Sequence, residues 1–154
     1  GRPSRFLRSL ILDPFEEEEH NWKLMRKYER IIKEEVRWET SFAEDAKLMV
    51  VAFGIAARIA KGAIKRLREE GLRVGLIRPI SLWPFPYKVI KEVTKKIRHF
   101  FVFEMNMGQM IEDVKLAIEG NGEVHFYGRP GGIILTPLEI SRVISSYYYQ
   151  KRLE

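Results

Sequence analysis

Residues 99–110 read HFFVFEMNMGQM, and the order of polarity along them decides the class of the fold. Phe100 to Phe103 are four consecutive aromatic or β-branched residues, a run that suits a strand covered on both faces. The run stops at Glu104. Met105, Asn106, Met107 and Gly108 follow, and from Gln109 the apolar residues Met110, Ile111, Val114, Ala117 and Ile118 recur at helical spacing. A buried strand therefore hands a carboxylate, an amide and a glycine to the point where a helix begins. In open parallel α/β sheets that carboxyl edge is where ligands and partners are met.

The same grammar repeats on both sides of this stretch. Leu48 to Phe53 form a continuous apolar run ended by Gly54, and Ile59, Ala60, Ala63, Ile64 and Leu67 then mark one face of a helix over 55–67. Gly71 stands where a helix C-cap belongs, and Val74–Ile77 reads as the next strand. Residues 78–86, RPISLWPFP, are punctuated by proline and predict a loop, neither central strand nor helix interior. Pro86 suits a first helical turn whose buried stripe is Val89, Ile90, Val93 and Ile97. Downstream come a turn at 120–122, a strand at 124–127 and a Gly- and Pro-rich loop at 128–132. Thr136-Pro137-Leu138-Glu139 then predicts a capping box opening the last helix. Strand and helix alternate from residue 47 onward, which predicts a mostly parallel sheet with helices on both faces.

Ahead of this lies a different segment. Residues 1–15 carry a brief apolar patch (Phe6, Leu7, Leu10, Ile11, Leu12) that reads as the tail of a preceding structure or as a docking arm. Glu16–Glu19 precede a helical pattern of Trp22, Met25, Tyr28, Ile32 and Val36, and the carboxylates there oppose the positive end of the helix dipole. The expected organisation is an arm and entry helix over 1–43, the tail of a missing preceding domain, and an α/β domain over 44–154. Gly1 in place of Met agrees with a fragment or an expression remnant.

Bulk composition narrows the function classes. With 154 residues, 45% of them hydrophobic, the chain can bury one full core and an extension. The net charge of +6 and a pI near 9.6 raise a nucleic-acid reading. The basic clusters alternate with apolar residues at helical spacing, however, and read as solvated backs of helices, so no nucleic acid is expected. The absence of cysteine excludes disulfides and thiolate-held zinc or iron–sulfur clusters within the chain. No apolar run approaches the roughly 20 residues of a membrane span and no signal-peptide pattern opens the chain, so a cytoplasmic protein off the membrane is expected. Abundant Lys, Arg and Glu with few Asn and Gln is the drift seen in thermophile proteins.

Among candidate sites, Gly54 could admit a phosphate at a strand-to-helix turn, but it stands alone, without a Gly-x-Gly-x-x-Gly or Walker pattern. His20, His99 and His125 have no metal-ligand spacing with one another. Glu104 and Asn106, two apart, leave the sheet edge on one side; they can recognise a ligand or partner, cap the helix that begins near Gly108, or do both. Glu112 and Asp113 read as solvated. Arg129 could bind a carboxylate or phosphate or serve an interface. No nucleophile, base and oxyanion set is present, so no catalytic or metal residue is assigned.

Taken together, VVAFG before a helix, RPISLWPFP, FVFEMNMGQM and YGRPGGIILTPLEI resemble the C-terminal, transketolase C-terminal-like domain of the α subunit of 2-oxoacid:ferredoxin oxidoreductases, in particular the 2-oxoglutarate type. The resemblance covers about residues 44–145. It implies a three-layer α/β/α sandwich with a mostly parallel sheet and one antiparallel strand. It also implies CoA-dependent oxidative decarboxylation of a 2-oxoacid by a parent complex that uses thiamine diphosphate, magnesium and an iron–sulfur cluster and passes electrons to ferredoxin. This chain lacks the preceding pyrimidine-binding domain and the cluster cysteines, so by itself it is expected to bind none of these cofactors and to have no turnover. Its implied partners are the β subunit and, where separate, γ and δ. The resemblance assigns Ser81, Trp83, Pro84, Phe85 and Pro86 to loop architecture and packing, with Gly131 and Gly132 in the later loop. Glu104, Asn106, Gly108, Gln109 and Arg129 form the turn that faces a ligand or neighbour. The competing readings are the C-terminal domain of a pyruvate dehydrogenase or transketolase-type enzyme, and a free-standing nucleotide or nucleic-acid binding module.

Overall fold

A computed structural model describes residues 1, 3, 4 and 10–153, which fall into two compact units, Gly1–Glu35 and Val36–Glu154. Phe6 and Leu7 of the N-terminal apolar patch lie outside the described residues.

The first unit is built on helix α1 (Pro14–Glu34). Asp13 caps it, its carboxylate accepting from the N–H groups of Phe15 (3.0 Å) and Glu16 (2.9 Å), with Pro14 in the first turn, where no N–H is needed. Glu16 and Glu17 lie in that turn, as the dipole argument expects. The stripe Trp22, Met25, Tyr28 and Ile32 is exposed. The helix ends at Glu34, short of Val36, where the periodic pattern would carry it.

The second unit carries a five-stranded sheet of order β1-β3-β2-β4-β5: β1 (Trp38–Ser41), β2 (Leu48–Ala52), β3 (Val74–Pro79), β4 (His99–Glu104) and β5 (Glu123–Gly128). All neighbours are parallel except β1, which runs antiparallel to β3. β1 lies within the first 43 residues, counted above as arm and entry helix, yet it is part of the sheet. Its four residues are mostly exposed and carry no alternating apolar signal. β1 also corrects the proline loop. Arg78 and Pro79 are the last residues of β3, because Glu39 and Trp38 stand opposite them.

Helices α2 (Gly54–Glu69) and α5 (Pro137–Gln150) pack together on one face, and α3 (Tyr87–Thr94) and α4 (Met110–Ile118) on the other. Pro86 is the N-cap of α3 rather than part of its first turn. The continuous apolar runs feed both layers by strand alternation. Leu48, Val50 and Ala52 join the core under α2 and α5, with Phe101 and Phe103 stacked at 4.9 Å; Met49, Val51, Phe100 and Val102 join the core under α3 and α4. Burying each such aromatic or branched side chain contributes about 1.5–3 kcal/mol. This is the three-layer α/β/α sandwich implied by the resemblance. Among the described residues no helix is long and apolar enough to cross a membrane.

Candidate functional site

The turn from β4 into α4 begins on a charge with no solvent. Glu104, the last residue of β4, is fully buried, a position a carboxylate holds only when its oxygens are satisfied. Oε1 accepts from the N–H of Ile111 (3.0 Å). Oε2 accepts from the N–H groups of Met110 (2.9 Å) and Gln109 (3.3 Å) and from Asn106 Nδ2 (3.1 Å). The side chain thus occupies the free amides at the start of α4, where its charge also opposes the helix dipole. Asn106 closes the turn from the other side: its Oδ1 accepts from the Gly108 N–H at 2.7 Å, an Asx turn, and Gly108 at φ +99° adopts a conformation that favours glycine.

Of the two readings left open for Glu104 and Asn106, the capping arrangement is therefore the one that forms. Strand pairing of β4 through Glu104, opposite Gly128, carries its carboxylate under the turn, where it caps α4. The residues of the turn that do face outward are Met107 and Gln109.

The turn is tied to the end of β5. The Arg129 N–H donates to the Glu104 carbonyl at 3.1 Å. Arg129 Nε stands 3.3 Å from Glu139 Oε1, the same oxygen to which the Tyr127 hydroxyl donates at 2.5 Å. Glu139 also completes the predicted capping box of α5: Thr136 Oγ1 accepts from the Glu139 N–H (3.2 Å), and Oε2 accepts from the Thr136 N–H (3.4 Å). The hydrogen bond from Tyr127 to Glu139, with some burial and the carboxylate charge, raises the Tyr127 hydroxyl above its ordinary pKa. Arg129 therefore already has a carboxylate partner. Gly131 and Gly132 follow in the left-handed region and leave Ile133 and Ile134 exposed.

The proline loop is held by Ser81. Ser81 Oγ accepts from the Arg37 N–H (2.9 Å) and donates to the Pro84 carbonyl (2.8 Å). Pro84, Phe85 and Pro86 are buried, with Phe85 edge-on to Tyr87 at 5.1 Å. Trp83, assigned with them to the loop's architecture, is 58% exposed. Asp113, expected to be solvated, accepts from the Tyr87 hydroxyl, and that bond pushes the Tyr87 pKa up to about 12.

Sequence reasoning missed one polar cluster, at the opposite edge of the sheet. Tyr147 donates to Glu123 Oε2 at 3.3 Å and lies 2.9 Å from His99 Nδ1; Lys151 Nζ is 2.6 Å and His125 Nε2 3.5 Å from the same Glu123 oxygen. The Lys151 bond, with smaller help from His125 and Tyr147, holds the Glu123 carboxyl down at about 2 against the opposing effect of burial. Burial lowers His99 and raises Tyr147. His99 and Glu123 open adjacent strands, so the parallel register that seats them side by side was the only signal available.

The β4-to-α4 turn offers no free helix amides to a diphosphate and no ligand to an iron–sulfur cluster. The amides of α4 that could meet a phosphate are taken by Glu104, and the sequence offers no thiolate.

A family model described as pyruvate:ferredoxin oxidoreductase core domain II matches residues 46–140. The chain belongs to this family. Core domain II here is 42% identical over 136 residues to the ketoisovalerate oxidoreductase subunit VorB of Methanothermobacter marburgensis, covering 88% of this chain and 38% of that protein. It is 34% identical over 118 residues to the 2-oxoglutarate synthase subunit KorA of the same organism, covering 77% and 30%. The chain thus spans less than two fifths of the length of these curated relatives. A solved 2-oxoglutarate:ferredoxin oxidoreductase from Magnetococcus marinus shares the fold with a TM-score of 0.70 at 22% identity, over 88% of this chain and 24% of that one. A split-gene transketolase shares it at 0.55 and 16% identity, over 70% and 40%.

Proposed function

We propose that this core domain II is a non-catalytic part of a subunit of a cytoplasmic 2-oxoacid:ferredoxin oxidoreductase, where it braces the assembly beside the thiamine diphosphate centre. The observation that carries the reading is the closed network at Glu104. Its fully buried carboxylate spends four hydrogen bonds on fixing a turn, while Met107 and Gln109 stand outward on that rigid base. A turn so held is a contact surface rather than a reacting one. In the parent complex, CoA, ferredoxin, thiamine diphosphate, magnesium and the iron–sulfur cluster belong to other domains or subunits, and the domain's direct partners are those neighbours.

The expected 2-oxoglutarate type competes with a branched-chain type, and the higher identity to the ketoisovalerate relative supports the latter. The test is purification of the natural protein from its source. A coloured complex with a cysteine-rich chain and bound thiamine diphosphate, reducing ferredoxin in a CoA- and 2-oxoacid-dependent reaction, is the expected result. A colourless monomer without these partners overturns the reading. Relative kcat/KM on ketoisovalerate and 2-oxoglutarate decides the type.

A further inference from the structure

The two helices that follow the central strands β2 and β4 begin differently. Glu104 fills the start of α4, whereas beside α2 an open cleft of about 410 Å³ lies against the β1/β3 pair. Three cations border it from two elements: Arg58 and Lys61 on α2, and Arg78 on β3. One carboxylate, Glu39, also lines it and is paired with Arg78 at 3.0 Å, both side chains remaining partly exposed. Arg58 and Lys61 have no carboxylate within ion-pair distance among the described residues.

The sequence of α2 makes this excess systematic, for GIAARIAKGAIKRLR places five cations before the first acid, Glu69. Two like charges three residues apart on a helix repel. Cations in the N-terminal half of a helix also gain nothing from its dipole. Neither residue is needed for packing, since both are exposed. An anion seated between the two side chains relieves their mutual repulsion. The floor is apolar, formed by Leu76 and Ala57, both buried, and the volume falls within the range of small-ligand sites. A compact anion with several acceptor oxygens suits a guanidinium and an ammonium converging on one cleft.

We propose that the cleft bordered by Arg58, Lys61 and Arg78 binds a small phosphate- or diphosphate-bearing anion, a site separate from the β4-to-α4 turn. Arg58 and Lys61 supply the charge. Arg78, shared with Glu39, fixes the far wall.

The test is calorimetric titration of the full chain with inorganic pyrophosphate at constant ionic strength. Saturable one-to-one binding is expected. The double variant R58Q/K61Q weakens it about tenfold or more, whereas K88Q/K95Q, which removes the same charge from α3 and its C-cap, leaves it unchanged. R58K/K61R, which keeps both charges, retains binding within a few-fold. Far-UV circular dichroism confirms that each variant is folded. Absence of saturable binding, or an equal loss in R58Q/K61Q and K88Q/K95Q, overturns the site; neither result touches the assignment of the domain to its complex.

Discussion

Gly128 lies directly beneath Asn106: a Cβ on Gly128 would overlap the Asn106 carbonyl oxygen and come within 2.5 Å of the Phe126 ring. The close approach lets the β4-to-α4 turn rest on the end of β5. Gly128→Ala is therefore expected to lift the turn and cost roughly 2–3 kcal/mol, as overpacking of a rigid contact does. Gly131→Ala is the contrast. A Cβ there meets nothing within 4 Å, and the only cost is its φ of +74°, about 1–2 kcal/mol. Urea denaturation of both variants checks the ordering; a Gly128 variant as stable as wild type would dissociate the turn from β5.

Glu104 is the second test of the same construction. Glu104→Ala leaves the N–H groups of Met110 and Ile111 buried without an acceptor, each costing about 1–3 kcal/mol. A loss of about 3–5 kcal/mol follows, which lowers Tm by roughly 10 °C for a domain of this size. Glu104→Gln keeps one carbonyl oxygen for these donors but turns an NH2 toward the others, and it is expected to lose about half as much. Thermal unfolding followed by circular dichroism measures both. Equal and small losses would show that the carboxylate is not the cap.

Much of this turn could be read from HFFVFEMNMGQM, because a four-residue apolar run and a 3.6-residue pattern are local signals. The choice between capping and recognition at Glu104 was not local. It depended on whether β4 stays paired as far as Glu104, and Gly128, from another strand, supplies that partner. β1 was illegible for a related reason: WETS has no apolar alternation, since the strand is an exposed edge whose only instruction is the free side of β3. In the proline loop the buried residues are Pro84, Phe85 and Pro86, while Trp83 stands more than half exposed, a division that nothing in the local pattern of RPISLWPFP announces. The Tyr147 cluster joins residues from three elements, and no spacing in one segment announces it.

That cluster predicts the acid behaviour of the fold. Glu123 titrates at about 2 when folded and near its ordinary 4.5 when unfolded, so the stability it contributes is complete above the ordinary value and is lost as pH falls toward 2. Lys151→Met removes the largest cause of the depression. The Glu123 carboxyl should then titrate closer to 4.5, seen by NMR, and the acid limb of stability should flatten. His99 adds a second window. Burial depresses its folded pKa below 6.5, so the unfolded chain takes up the proton first and stability falls as pH drops below about 6.5. His99→Gln should remove that slope between pH 7 and the folded pKa, measured as urea midpoints. An unchanged slope would assign it to another group.

The outward side of the turn separates contact from architecture. Met107 is 79% exposed and Gln109 stands beside it, so neither contributes to the core. Met107→Asp should change the stability of the isolated chain by no more than about 0.5 kcal/mol, the usual range for surface substitutions. In the assembled oxidoreductase the same aspartate would have to be buried against a neighbouring surface without a partner, a cost of several kcal/mol. Co-purification of the other subunits with the natural full-length protein carrying Met107→Asp should drop by tenfold or more, while Glu112→Gln, on the exposed side of α4, should leave it unchanged. If the aspartate variant assembles as well as wild type, the turn is not a contact surface, and its rigidity serves only the fold of the domain.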